Sequence, residues 1–179
     1  DAQIISMFAD ESSREAAFKQ LLKKYQQKIY WHVRRMVIDH DDADDVTQDI
    51  FVKVWRNLDK FREDSQLYTW LYRIATNECI TFLNKKKQKN NVSLDDDNSS
   101  YLSETLADGS YFYGDKAQMK LQQALLTLPE KQRLVFNMKY FEDMKYDEIS
   151  SILGTSVGAL KASYHLAVKK IEHFFNSQD

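Results

Sequence analysis

Apolar residues recur at intervals of three and four along most of this chain, and that period predicts helices. Phe18, Leu22, Tyr25, Ile29, Val33 and Met36 form one such stripe, with Lys19, Lys23, Lys24 and Lys28 on the wet side of a long helix. A second helix starts at HDDADD, where Asp41, Asp42, Asp44 and Asp45 crowd the end at which the helix dipole favours carboxylates; Val46, Ile50, Val54 and Leu58 continue it as a core stripe. In the third stretch, SQLYTWLYRIATNECITFLNKKKQK, Leu67, Leu71, Ile74, Cys79 and Phe82 supply an inner side. Tyr68, Tyr72, Arg73, Thr76 and Asn77 crowd a neighbouring face. Near the C-terminus the pattern predicts a short helix from Tyr146 to Leu153, a turn at Gly154, and a longer helix opened by Thr155 or Ser156, whose hydroxyls suit an N-cap. Ile149, Ile152 and Leu153 on the first of these share a core with Leu160, Tyr164, Ala167 and Ile171 on the second.

Composition sharpens this picture. One Pro and four Gly in 179 residues leave few helix breakers, and 43% hydrophobic content supports a packed core in each of two domains. The expected fold class is all-α, two small helical domains joined by an acidic linker. Charge draws the boundaries. Residues 1–89 hold 16 Lys and Arg against 14 Asp and Glu; residues 90–115 hold six acids and no base; residues 116–179 hold nine bases against seven acids. Two mildly basic domains, 1–89 and 116–179, thus flank an acidic tether, 90–115, rich in Asn, Asp, Ser and Gly. Within it Tyr111, Phe112 and Tyr113 look like a docking element. A lone Cys79 excludes an intrachain disulfide framework and points to a reducing compartment. No apolar run reaches the length of a membrane span, and the N-terminal stretch lacks the zones of a signal peptide, so a soluble cytoplasmic protein without membrane insertion is expected.

Candidate chemistry is binding rather than catalysis. The acidic turn at Asp41–Asp45 has no second carboxylate group or His placed by any motif, so neither a metal site, a cofactor site nor a catalytic site is expected. On the same helix Gln48, Asp49, Val52 and Trp55 fall partly off the core stripe, with Phe51 four residues before Trp55, which suggests an aromatic and acidic face for another protein. The tyrosines, Arg73, Asn77 and the run Lys85, Lys86, Lys87 and Lys89 are the ingredients of single-strand nucleic-acid capture, although lysines also suit any helix C-terminus. On the last helix Gly158, Lys161, Ala162, His165 and Lys169 make a short-chained, cationic outer face of the kind that enters a major groove; a plain αα-hairpin would share this spacing.

Taken in order, DDADDVTQDIFVKVWRNLDKF, YTWLYRIATNECITFLNKKK and LLTLPEKQRLVFNMKYFEDMKYDEISSILGTSVGALKASYHLAVKKI resemble the second-domain and fourth-domain segments of bacterial RNA polymerase sigma factors of the extracytoplasmic-function (ECF) group. The resemblance implies binding to core RNA polymerase through Asp45, Gln48, Asp49, Phe51, Val52 and Trp55. It implies recognition of the minus-ten promoter element by a base pocket at Asp64, Ser65, Gln66 and Tyr68, with Arg73, Asn77, Lys85, Lys86 and Lys87 beside it. It places the minus-thirty-five element on Thr155, Ser156, Gly158, Lys161, Ala162, His165 and Lys169. The partners implied are core polymerase and promoter DNA, with an anti-sigma factor as the family's common inhibitor. The acidic tether would thread polymerase channels built for nucleic acid. The recognition helix departs from many family members in lacking Arg, so bidentate guanine contacts are absent there. The competing reading is a stand-alone helix-turn-helix regulator that binds duplex DNA without polymerase.

Overall fold

The apolar stripes become helices that pack around two linked cores. The computed structural model describes residues 1–90 and 116–178; the tether at 91–115, with the Tyr111–Tyr113 docking element expected there, lies outside the described residues. Every regular element among the described residues is helical. The N-terminal unit consists of α1 (Ala2–Ala9), α2 (Arg14–Val37), α3 (His40–Asn57), a 3₁₀ turn at Leu58–Lys60, and α4 (Leu67–Lys89). The C-terminal unit consists of α5 (Lys116–Leu126), α6 (Glu130–Phe136), a π-helical turn at Asn137–Phe141, α7 (Tyr146–Leu153) and α8 (Val157–Ser177).

In the N-terminal unit α2 is the central strut. Its buried line runs Ala17, Leu21, Tyr25, Ile29, Val33, Val37, a run of four-residue steps that faces α1, α3 and α4. Helix α3 contributes Ala43, Val46, Ile50 and Val54, and α4 contributes Leu67, Leu71, Ala75, Cys79 and Leu83. The Asp39 carboxylate caps α3 by accepting from the Asp42 backbone N–H at 2.9 Å, which satisfies one orphan donor of the first turn. Burial pushes the Cys79 thiol well above its ordinary pKa, so it packs as an apolar residue.

Several positions differ from the sequence pattern. Phe18 and Leu22 are half-buried, because α2 turns Ala17 and Leu21 inward and leaves this pair on the rim of a groove. Ile74 and Phe82 are also half-buried. Tyr72 and Thr76, expected on a polar face of α4, are fully enclosed: Thr76 Oγ1 meets the buried His32 Nε2 at 2.9 Å, and Tyr72 packs edge-on to the same imidazole. Helix α1 was not foreseen; its Ile4 and Phe8 seal the end of α2, and Tyr25 Oη donates to the Asp1 carboxylate at 2.7 Å.

In the C-terminal unit α7, Gly154 and α8 form the expected helix-turn-helix, with the expected bounds for α7. Gly154 takes φ 67°, a left-handed conformation in which a residue without Cβ is unstrained. Ser156 is the N-cap of α8, its Oγ accepting from the Ala159 N–H at 3.3 Å. Ala124, Leu125, Leu128, Phe136, Ala167 and Ile171 form the outer core. Tyr164 stacks on Phe136 at 5.8 Å and is half-buried against the core that its spacing implied, not enclosed in it.

The two units do not stand apart. Leu126, Leu134, Val135, Met138, Met144, Ile149 and Ile152 belong to one apolar cluster that continues into α2, α3 and α4, and α7 lies directly on α4.

Candidate nucleic-acid and partner interfaces

Three surfaces carry the residues singled out in the sequence. The first is a groove of about 1360 Å³ between α2 and α3. Phe18, Leu22 and Tyr30 line it from α2; Thr47, Gln48, Phe51, Val52 and Trp55 line it from α3. Burial of Phe51 at 7% exposed makes it floor, while Val52 at 43% and Trp55 at 37% are unusually open for apolar side chains. Trp55 is held edge-on by Phe8 at 5.3 Å and Phe18 at 5.1 Å, so α1 fixes its orientation. Thr47 sits beneath the groove at 6% exposed, and its enclosed hydroxyl has no hydrogen-bond partner among the described residues. The six candidates on α3 therefore divide: Gln48, Phe51, Val52 and Trp55 line the groove, whereas Asp45 and Asp49 are exposed outside its lining.

The second surface is the start of α4 and the loop before it. Asp64 and Gln66 are exposed and Ser65 is half-buried, presented by a loop in which Glu63 adopts φ 57°. The Tyr68 and Tyr72 rings meet at 4.6 Å, tilted by 48°, followed by Arg73 and then exposed Asn77. The lysines at the far end are not alike. Lys85 is exposed, Lys86 is half-buried and forms an ion pair with Asp42, and Lys87 is 5% exposed, so it is not the open charge the sequence suggested.

The C-terminal unit covers part of this face. Glu142 sets Oε1 2.5 Å from Arg35 Nη1 and accepts from Tyr72 Oη at 2.9 Å through Oε2. The Arg73 guanidinium donates twice to the Ser151 carbonyl, at 2.8 and 3.2 Å, and the Arg35 guanidinium lies over the Phe141 ring at 4.5 Å. Burial raises the Tyr68 hydroxyl pKa well above the ordinary range, and the charges of Glu142, Glu148 and Asp143 raise it further. Burial does the same to Tyr72, again with Glu142 adding to it. Both phenols therefore stay neutral, and Tyr72 donates to the Glu142 carboxylate. Neither Arg35 nor these three acids were candidates from the sequence; Glu142 and Asp143 sit in YFEDMKYD, which reads as an ordinary polar turn.

The third surface is the outer face of α8. Ser156, Gly158, Lys161, Ala162, His165 and Lys169 are all exposed, with Thr155 half-buried at its start. Leu166, at 47% exposed, adds an apolar contact to the same helix. Among the described residues nothing covers this face.

The acidic turn at the start of α3 is a solvated one. His40, Asp41 and Asp44 could bring ligand atoms within 4.8 Å of one another, but all three are exposed, and His40 already meets Asp44 at 3.0 Å and Tyr30 at 3.3 Å.

Residues 21–89 match the family model described as Sigma-70 region 2, and residues 118–171 match Sigma-70, region 4. The chain is 33% identical to "ECF RNA polymerase sigma factor SigW" of Bacillus subtilis over 156 residues, covering 83% of each. It is 31% identical to "RNA polymerase sigma-H factor" of Pseudomonas aeruginosa over 163 residues, covering 87% of this chain and 84% of that protein. Its fold is similar to that of CnrH, solved in complex with the cytosolic domain of CnrY, with a TM-score of 0.73 at 23% identity over 100% of this chain and 99% of the other. It is also similar to the sigma factor RpoE of Bartonella quintana, solved with the anti-sigma factor NepR, with a TM-score of 0.69 at 22% identity over 89% and 96%.

Proposed function

The chain belongs to the extracytoplasmic-function group of RNA polymerase sigma factors, and from that premise we propose how its surfaces divide the work of transcription initiation. Residues 1–89 form the domain that binds core polymerase and the minus-ten element, 90–115 the acidic tether, and 116–179 the domain for the minus-thirty-five element. The observation that carries the polymerase contact is the groove between α2 and α3, with open Val52 and Trp55. A helical element of the polymerase seats apolar side chains on Phe51, Val52 and Trp55, while Asp45, Gln48 and Asp49 offer polar contacts beside it.

Promoter opening then needs no covalent chemistry from this chain. Extruding a base from duplex DNA costs a few kcal/mol, and a pocket that binds the extruded base offsets that cost. Asp64, Ser65 and Gln66 on the loop and Tyr68 at the helix start supply such a pocket's polar edge and stacking surface, with Arg73, Asn77 and Lys85 to follow the strand. Lys86 and Lys87 support α4 more than they contact phosphate, given their burial. On α8, Lys161, His165 and Lys169 hold the backbone, and Ala162 with the small Gly158 permits close approach to the groove. Without Arg, selectivity there rests on groove shape and thymine methyls. The tether's negative charge suits a cationic polymerase channel. The protein works where polymerase is, in the cytoplasm; no helix among the described residues is long and apolar enough to cross a membrane. Two proteins of similar fold were solved with an anti-sigma factor, NepR, and with the cytosolic domain of CnrY, and the same α2/α3 groove suits an anti-sigma factor competing with polymerase.

The test is co-elution with purified core polymerase, wild type beside Q48A/D49A/V52A, whose three positions are exposed and leave the core intact. Wild type co-elutes and the triple variant does not. Equal co-elution of both would move the contact off α3. No association at all, together with tight binding to duplex DNA by the free protein, would restore the stand-alone regulator.

A further inference from the structure

The α4 face assigned to promoter DNA is occupied in the free chain by the other domain, and the occupant is acidic. Glu142 binds Arg35 and Tyr72, Asp143 and Glu148 stand close enough to act on Tyr68, and the Ser151 carbonyl takes both donors of Arg73. A nucleic-acid strand would supply similar groups: an anionic oxygen where Glu142 meets Arg35, an acceptor oxygen where the Ser151 carbonyl meets Arg73, and a surface against the tyrosine pair. We infer that Glu142 is an interdomain latch, a carboxylate in the position of a backbone phosphate, that closes the C-terminal domain over α4 until polymerase or DNA separates the two. The inference rests on the reading of α4 as the minus-ten surface.

Local structure supports a built device. The Asn137–Phe141 segment leaves α-helical geometry for a π turn in which the Glu142 N–H bonds to the Asn137 carbonyl at 3.3 Å and the Met144 N–H to the Met138 carbonyl at 3.1 Å. Asp143 then takes φ 50°, an unfavourable conformation for a residue with a Cβ. Asn137 is 3% exposed, and its Oδ1 has no hydrogen-bond partner among the described residues. This strained turn is what projects Glu142 out of the domain and into the Arg35–Tyr72 notch, where Arg35 and Glu142 side chains are only 21% and 11% exposed. A partly buried pair of this kind is screened by salt far less than a surface pair. By contrast the face of α8 lies open, so the closed chain withholds one DNA surface and not the other.

The experiment uses the full chain with spin labels at D59C and K169C, both exposed and away from the junction, and E142A and E142Q in the same background. Wild type gives one narrow distance distribution; E142A broadens it toward long distances, and E142Q is intermediate because it keeps a weaker hydrogen bond. R35E opens the chain as E142A does, and R35E/E142R narrows the distribution again, which a variant that had merely lost its fold would not do. An unchanged distribution in E142A and R35E, or a broad one in wild type, overturns the latch. In parallel, binding of a fluorescein-labelled mixed-sequence single-stranded DNA is measured. If nine in ten wild-type molecules are closed, E142A binds the probe about tenfold more tightly. Opening without any gain in DNA binding keeps the latch and overturns the DNA reading of α4.

Discussion

The two surfaces assigned to DNA differ in what lies in front of them. The face of α8 is exposed from Ser156 to Lys169, whereas the face of α4 has Tyr72 fully buried and Tyr68 and Arg73 half-covered by α7 and the turn before it. Both are polar or aromatic strips on amphipathic helices, and their composition alone does not separate them. The difference teaches that a helix face rich in binding side chains can be a closed surface in the free molecule. Tyr72 and Arg73, on the face that would meet DNA, are among the side chains that hold the domains together.

The largest expected effect comes from removing the apolar support beneath the junction. Ile149 is 0% exposed in the cluster shared by both domains, so I149A should cost about 2–5 kcal/mol by urea denaturation and should also separate the labelled domains. An unchanged interdomain distance in that variant would show that α7 is held by its polar contacts alone. Y72F is the next in size: it leaves Glu142 Oε2 without the phenol donor, and a hydrogen bond to a charged group contributes about 1.5–3 kcal/mol. The denaturation midpoint should fall, and the domains should part more readily than after any change on the outer face of α8.

G154A sharpens the comparison from the other side. A Cβ at this position meets nothing within 4 Å, so the cost is backbone strain alone, about 1–2 kcal/mol, with G154N milder. Opening of the α4 face should be untouched. S156A removes the α8 cap and should cost about 1 kcal/mol with the same indifference at the junction.

Acid provides a smaller probe of α4's support. His32 is wholly buried against Thr76, and burial first and Arg35 second lower its pKa to about 3 from 6.5. A depressed pKa means that the unfolded chain takes up the proton first. The stability due to neutral His32 is therefore complete above about pH 6.5 and is lost as pH falls toward about 3, at no more than about 1.4 kcal/mol per pH unit. H32Q should flatten that part of the stability profile measured by thermal unfolding; an unchanged acid limb would mean that other groups dominate it.

Much of the fold was legible because local rules and burial agreed. Alternation at three and four placed α2, α3, α4, α7 and α8, the glycine turn set the end of α7, and the ordered motifs pointed to the family to which the chain belongs. Helix α1 was passed over because eight residues with two buried side chains carry little periodic signal. Phe18, Leu22 and Phe51 show a second limit. A stripe wider than one contact line does not say which of its members face a neighbouring helix and which line a groove, since that depends on the crossing of α2 and α3.

By itself the sequence determined α2, α3, α4, α7 and α8, the cap of α8, the helix-turn-helix, the charge division and the residue types available for DNA and polymerase, because these follow from periodicity and side-chain chemistry over a few turns. Only the tertiary structure decided that Tyr72, Thr76 and Lys87 are enclosed, that Asp45 and Asp49 stand apart from the groove, and that Glu142 reaches Arg35 across 107 positions of chain. Those outcomes depend on contacts between residues far apart in sequence, and neither hydrophobic period nor local charge encodes which distant surface a polar side chain will meet.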